Sequence, residues 1–449
     1  MMSNRFGKFN LITSLVLAVV FLVATDSANA QFGTVNNIGG VDINPDGVLN
    51  QVTEAMQRDN RQRVIDNLEA VAEGAKQSTG LRAISMKAME AALHAAANEG
   101  TPLTDEMRYM AGIQRIEYVI VNPETGDILI GGPGEGWRVD EAGNVVGETT
   151  GRPVIRLEDF IVALRTADAA NREFGISVSI DPTPEGQKRL NQLYRNSGFN
   201  TGMKEQIEEA MGPQNITLTG MPTDSRMAQI LVAADYRMKR MAMGFETAAV
   251  EGIPSVLEMA QQKGKGFKQD PRFWLQCDYD SIKRSEDGNV WQISGAGAKA
   301  MTETLTTGGS KAKDHPIAAK WAENMTNKFG ELANADPVFA ELQNVMDMAV
   351  VAAIVRKHDL LVTAGLSIPT LSGENDDVEL PKWSVPKTVS TQCSFVRINS
   401  SWMVTASGGV QVDSWGVLEN VQIDNALASV VNRVSISENE NRLWWNTIN

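Results

Sequence analysis

The chain has 449 residues, 43% of them hydrophobic, and a formal net charge of −14. That composition suits packed globular cores and excludes a wholly disordered chain. The acidic balance argues against binding nucleic acid or an anionic membrane surface, because phosphate backbones and acidic lipids repel it.

The first thirty residues read as an export signal. Arg5 and Lys8 precede a short apolar run, "LITSLVLAVVFLVA" at 11–24, and Ala28-Asn29-Ala30 supplies the small residues of a cleavage site. The run is shorter than the ~20 residues that span a bilayer comfortably. An uncleaved anchor is the rival reading, and the Ala-x-Ala pattern favours cleavage. The mature chain is expected to begin at Gln31, to leave the cytosol for the periplasm or medium, and to hold no membrane span after cleavage.

Residues 31–112 form a Gly/Asn-rich lead and a helical region. "DINPDG" at 42–47 matches the first half of a calcium loop through Asp42, Asn44 and Asp46, but the twelfth position is Thr53 instead of a bidentate Glu. A hairpin turn is the competing reading. Helix is predicted throughout 51–98, with Met86, Met89 and Leu93 as an apolar stripe.

A central mixed α/β domain is predicted over 113–366. It opens on a hairpin, 116–121 and 127–130, around a turn at 122–126. "GGPGEGW" at 131–137 follows. A phosphate-binding loop needs a helix start and a lysine, and neither comes next, so a bend between strands is expected. A helix at 157–166, a strand at 174–180 and a helix capped by Thr183 come after it. Residues 224–245 place Met227, Ile230, Leu231, Ala234, Met238 and Met241 on one face, which reads as core packing more than as a thioether copper site. Ser255 and Glu258 form a capping box. The stretch 272–294 reads as strand, Asp287-Gly288 turn, strand. Helices open at Pro316 and Pro337, capped by Asp314 and Asp336; the apolar run "VMDMAVVAAIV" at 345–355 reads as a buried helix. A loop or linker at 367–391 leads to a small β-rich C-terminal part at 392–449.

Searches for catalytic motifs return little. There is no Gly-x-Ser-x-Gly and no His-Glu-x-x-His, and only three histidines: His94, His315 and His358. Ser-x-x-Lys occurs at Ser310/Lys313 and Ser384/Lys387, both in polar or proline-bearing loops. Asp278 and Asp280 would share one face of a strand, and they are the candidate catalytic carboxylates. Cys277 and Cys393 are the only cysteines. In an exported protein they could pair as a disulfide or remain two thiols. No cofactor motif is present.

Several long segments occur in the order seen in a known family: "ILIGGPGEGWRVDEAGNVVGETTGRPV", "IDPTPEG", "VAADYRMKRMAMG" and "GGVQV" followed by "RLWW". The chain resembles a family of exported planctomycete proteins catalogued as domain of unknown function 1598. The resemblance implies export and a shared fold, and makes "GGPGEGW" an architectural turn. It carries over no reaction and no catalytic residue.

The predicted fold is α+β, with mixed β-hairpins and interspersed helices. Three functions are expected in turn: a non-catalytic envelope or periplasmic protein with an unidentified protein or envelope partner, a hydrolase-like enzyme working through Asp278 and Asp280, and a calcium-stabilised domain using Asp42, Asn44 and Asp46.

Overall fold

The structure is a computed structural model. It describes residues 37–446 except 39, 174, 198–200, 265–270, 305–315, 376, 395, 399–400, 404–406, 432–433 and 435–442. The expected signal at 1–30, the Ser310/Lys313 pair, Asp314 and His315 lie outside the described residues.

Two sheets carry the fold. The larger has nine strands, in the spatial order Asn37–Ile38, Val41–Ile43, Val48–Gln51, Thr388–Val389, Gln214–Thr219, Ile176–Asp181, Ser407–Val412, Pro271–Asp278 and Gly297–Thr304. The second has seven: Gln422–Ile423, Lys283–Arg284, Val290–Gln292, Tyr118–Asn122, Asp127–Gly134, Thr79–Ser85 and Trp444–Asn446. Most neighbours are antiparallel. Ser407–Val412 runs parallel to Pro271–Asp278 and antiparallel to Ile176–Asp181.

Strand alternation decides which face is dry. In Pro271–Asp278, Phe273, Leu275 and Cys277 are buried, while Trp274, Gln276 and Asp278 point the other way. Ile176, Val178 and Ile180 repeat the pattern. Helix Arg226–Ala242 lies against Ile176–Asp181 and Ser407–Val412 and seals this apolar face. Ser225 starts it by accepting a hydrogen bond from the Ala228 amide at 3.1 Å. Met238 and Met241 sit in the core, as the stripe required.

Helix Pro337–Lys357 spreads apolar side chains over all its faces, with Glu341, Gln343, Asn344 and Asp347 buried among them. It is long and apolar enough to cross a membrane, yet its whole apolar stretch is buried inside the protein. A helix with no polar face needs neighbours on every side. It packs on Leu157–Arg172, on Arg226–Ala242 and on strand Gly297–Thr304. Side chains from both sheets join it in one core, including Ile130 from the second sheet and Phe273 from the first. The fold is α+β, as expected.

The "GGPGEGW" stretch is architecture. Strand Asp127–Gly134 continues through its first glycines, and Trp137–Val139 pairs with Val145–Gly147 beyond the bend. A Cβ at Gly132 would stand 2.1 Å from the Arg115 carbonyl oxygen, so only glycine admits that backbone. Glu135, in the bend, accepts from Gln114 Nε2 at 2.7 Å and from the Thr150 hydroxyl at 2.6 Å. Burial pushes its carboxyl up, but the hydrogen bonds from Thr150, Gln114 and Thr149 outweigh burial and hold it below the usual range.

Two expectations need correction. Helix was predicted throughout 51–98, but Thr79–Ser85 is a strand between Asp127–Gly134 and Trp444–Asn446. Both its faces are buried, so the alternation that marks a half-exposed strand is missing. The strand at 272 does not turn back on itself at Asp287-Gly288. The chain leaves the first sheet after Asp278, and the hairpin Lys283–Arg284 with Val290–Gln292 belongs to the second. Ser407–Val412, from the small β-rich C-terminal part, lies in the interior of the larger sheet. Of the two alternatives open for Cys277 and Cys393, the structure has two free thiols. Cys277 faces the main core, whereas Cys393 packs in a satellite cluster with Leu190, Ile207 and Met211.

Candidate functional site

A cavity of about 440 Å³ opens where three distant segments meet: the start of helix Leu157–Arg172, the residues leading into helix Arg226–Ala242, and the chain at 378–382. Trp383 ties the third segment to the other two. Its indole nitrogen donates to Glu158 at 3.1 Å and its backbone amide to the Asp224 carbonyl at 2.8 Å.

Buried charge forms the floor. Arg226 donates to Asp159 Oδ2 and, at 2.5 Å, to Glu341 Oε1 from the central helix. All three side chains are buried. One guanidinium therefore serves two carboxylates. Burial alone would lower the Arg226 pKa, but Glu341 and Asp159 hold it charged and above its ordinary value. Burial pushes Asp159 up to about 7, with Arg226 opposing and Glu158 and Glu341 adding to the rise. Asp159 Oδ1 is buried and accepts no hydrogen bond from a described residue. A buried carboxylate oxygen without a donor costs free energy and calls for a reason. Glu158 lies 3.6 Å from Arg156, and Arg165 spends its guanidinium on the Thr370 and Leu371 carbonyls.

A second buried carboxylate shows the contrast. Asp347, on the central helix, accepts from Arg115 Nε at 3.0 Å, Arg115 Nη2 at 2.9 Å, the Tyr279 hydroxyl at 2.7 Å and the Ile116 amide at 3.3 Å. Arg115 also donates to the Gly295 carbonyl at 3.0 Å. Both oxygens are satisfied, which suits a structural ion pair.

The candidate catalytic carboxylates sit elsewhere. Asp278 ends its strand and pairs with Lys299 at 3.1 Å. Asp280 lies beyond the strand, its amide bonded to the Ser294 carbonyl at 2.9 Å. The two-residue alternation that would align them thus stops short, although both border an open cleft of about 350 Å³ with Asp413 and Glu419. In the candidate calcium loop, Asn44 Oδ1 accepts the Val48 amide at 2.9 Å and the Asn44 carbonyl accepts the Gly47 amide at 2.9 Å. Burial raises the Asp42 pKa. Thr53, in the place of the bidentate ligand, caps helix Glu54–Asn67. Among the described residues, no group of three His, Cys, Asp or Glu side chains is placed to hold a metal. His94 Nδ1 lies 2.7 Å from Asp377, and His358 stacks on Trp291 with ring centroids 4.3 Å apart.

Residues 178–256 match the model of a protein family of unknown function, DUF1598. No curated protein and no solved structure matches the chain. The DUF1598 stretch supplies Arg226 and the 222–226 wall of the cavity. Asp159, Glu158 and Glu341 come from outside it.

Sequence reading passed over Asp159, Glu158, Arg226 and Glu341. "LEDFIVALRT" looks like an ordinary acidic helix start, since carboxylates favour a helix N-terminus anyway. Asp347 did carry a signal, as a lone carboxylate inside an apolar run.

Proposed function

We propose that this is an exported, non-catalytic binding protein that holds a small organic cation in the cavity above Asp159. The observation carrying this reading is the charge imbalance of the floor: two buried carboxylates, one guanidinium, and Asp159 Oδ1 without a donor. Such a site is completed either by a proton or by a ligand's positive charge. Asp224 and Glu379 also line the cavity, and the cations Arg165 and Lys382 offset part of their charge. The signal-like pattern of residues 1–30 supports export.

The test is thermal stability of the mature chain at pH 8 against putrescine, spermidine, lysine, arginine and choline. At a hundredfold excess over Kd, a ligand that binds only the folded state adds about 2.7 kcal/mol, a rise of several degrees in Tm. Asp159→Asn abolishes the rise. A panel that leaves Tm unmoved, or a rise that survives the substitution, would sink the reading.

A second reading is a hydrolase-like enzyme whose site is assembled from distant carboxylates. It is favoured by the Asp159 carboxyl standing near 7, the value that suits a general base at neutral pH. Hydrolysis of chromogenic esters or glycosides, with a pH profile that breaks near 7 and is lost in Asp159→Asn, would select it.

A further inference from the structure

The larger sheet covers one face with helices and turns the other outward. The outward side chains of three adjacent strands line up by register. Ser179, Gly409 and Trp274 form one row, and Ser177, Gln411 and Gln276 the next. Trp274 and its neighbours border an open cleft of about 340 Å³. Farther along the same strand, Gln276 and Asp278 border the cleft of about 350 Å³ that holds Asp280. From Trp274 to Asp278 the strand advances roughly 13 Å, at about 3.3 Å per residue, so the two clefts make an extended track.

Three polar side chains along this track are uncommitted. The Trp274 indole nitrogen and the amides of Gln276 and Gln411 make no hydrogen bond to a described residue. Ser177, at the side, is already paired with Thr219 at 2.8 Å. Gly409 puts no side chain beside Trp274, which leaves a ledge against the indole. Glycine is required there, because a Cβ would stand 2.0 Å from the Val178 carbonyl oxygen.

Charges of opposite sign stand side by side along the track. Arg272 stands opposite Glu303 in register, and Lys299 bonds Asp278 at 3.1 Å. Trp274, Gln276 and Gln411 themselves carry no charge, while Asp280, Asp413, Glu419 and the negative chain as a whole repel anionic polymers. A protein partner would look for an apolar centre, and here one indole stands among amides and hydroxyls.

We infer that this face binds an uncharged glycan chain, with Trp274 as the stacking platform and Gln276 and Gln411 as its hydrogen-bonding amides. An indole offers a flat apolar surface to sugar C–H groups and an N–H to an oxygen. A primary amide donates and accepts at once, as a hydroxyl-rich ligand needs. Polar groups that fix orientation around an aromatic surface are the usual make-up of a carbohydrate-sized site. The inference does not depend on the cation cavity.

The test is affinity electrophoresis of the mature chain in native gels containing laminarin, galactomannan, hydroxyethyl cellulose, dextran sulfate or chitosan. At least one of the three neutral polymers should retard the protein. Trp274→Ala should weaken that retardation about tenfold or more, the loss expected of an aromatic anchor. Trp274→Phe should keep part of it, and Gln276→Ala with Gln411→Ala should weaken it less than the loss of the indole. Asp159→Asn should leave it intact. Circular dichroism of each variant, compared with the parent, guards against misfolding, and Trp274→Phe provides the folded control. Three outcomes would overturn the inference: no retardation by any neutral polymer, retardation equal in Trp274→Ala and parent, or retardation by dextran sulfate or chitosan alone.

Discussion

Asp347 and Asp159 are both fully buried aspartates on helices of the main core, and each is paired with an arginine, the partly buried Arg115 and the fully buried Arg226 respectively. They differ in how completely they are served. Asp347 receives four hydrogen bonds from three residues, which serve both of its oxygens. Asp159 receives Arg226 on one oxygen, shares that arginine with Glu341, and keeps its other oxygen buried and without a donor, in a residue that lines an open cavity. Burial of a charge is thus no guide to function by itself. What separates Asp159 from the structural pair is the unfilled valence together with the cavity it lines, since Asp235, paired with Lys239, also has one buried oxygen without a donor. Selection for stability alone would have supplied a donor to Oδ1 or replaced the carboxylate, since the unpaired oxygen is costly.

The largest effect should come from breaking the satisfied pair. Asp347→Ala strands Arg115 and the Tyr279 hydroxyl in the interior, and should cost about 3–5 kcal/mol in urea unfolding. A loss below ~1 kcal/mol would show that the network is not structural. The same pair can be disturbed from behind. Gly132→Ala drives a Cβ to within 2.1 Å of the Arg115 carbonyl oxygen, and should cost about 1–3 kcal/mol. Gly80→Ala, where a Cβ would meet nothing within 4 Å, is the control and should be near neutral.

Much of the local architecture was legible. The helix at 224–245, its methionine stripe, the Ser255–Glu258 box and the Asp336 cap follow from rules that act over three or four residues, and the structure has all of them. The bend in "GGPGEGW" was legible for the same reason. Long-range pairing was not. Nothing in 79–85 announces that it sits between strands beginning at 127 and 444, and nothing in 407–412 announces a place inside a sheet built by strands at 176 and 271. The candidate site was illegible because its meaning is a sum over distance. Arg226 lies 67 residues from Asp159 and 115 from Glu341, and only their meeting makes two carboxylates compete for one cation. Asp278 and Asp280 were visible because they are neighbours, which is a weaker reason than being buried together.

The comparison sharpens along the pH axis. Asp159 holds its proton in the folded state up to about pH 7, whereas an unfolded aspartate releases it near 3.9. Between those values the native state binds more protons than the unfolded chain. The contribution of this group is therefore fully present below about pH 4 and lost as pH rises through 7. Asp159→Asn removes that component. The Tm of the parent should fall relative to the variant between pH 5 and 8, with no further divergence above. A constant difference across this range would mean that Asp159 stays ionised and that the floor is already balanced.

The smallest expected effect separates exposed carboxylates from buried ones. The Asp278–Lys299 pair is more than a third exposed on both sides, so solvent and salt screen it, and Asp278→Asn should change stability by less than ~1 kcal/mol. Asp280, beyond the strand, should behave alike. Neither substitution should alter a ligand response at the Asp159 cavity, because the 278–280 carboxylates line a different cleft. Thermal melts of Asp278→Asn and Asp280→Asn with and without the amine panel decide this. A lost response in either variant would couple the two clefts and return the exposed pair to the chemistry. An unchanged response would leave the buried, half-served aspartate as the group on which ligand binding turns.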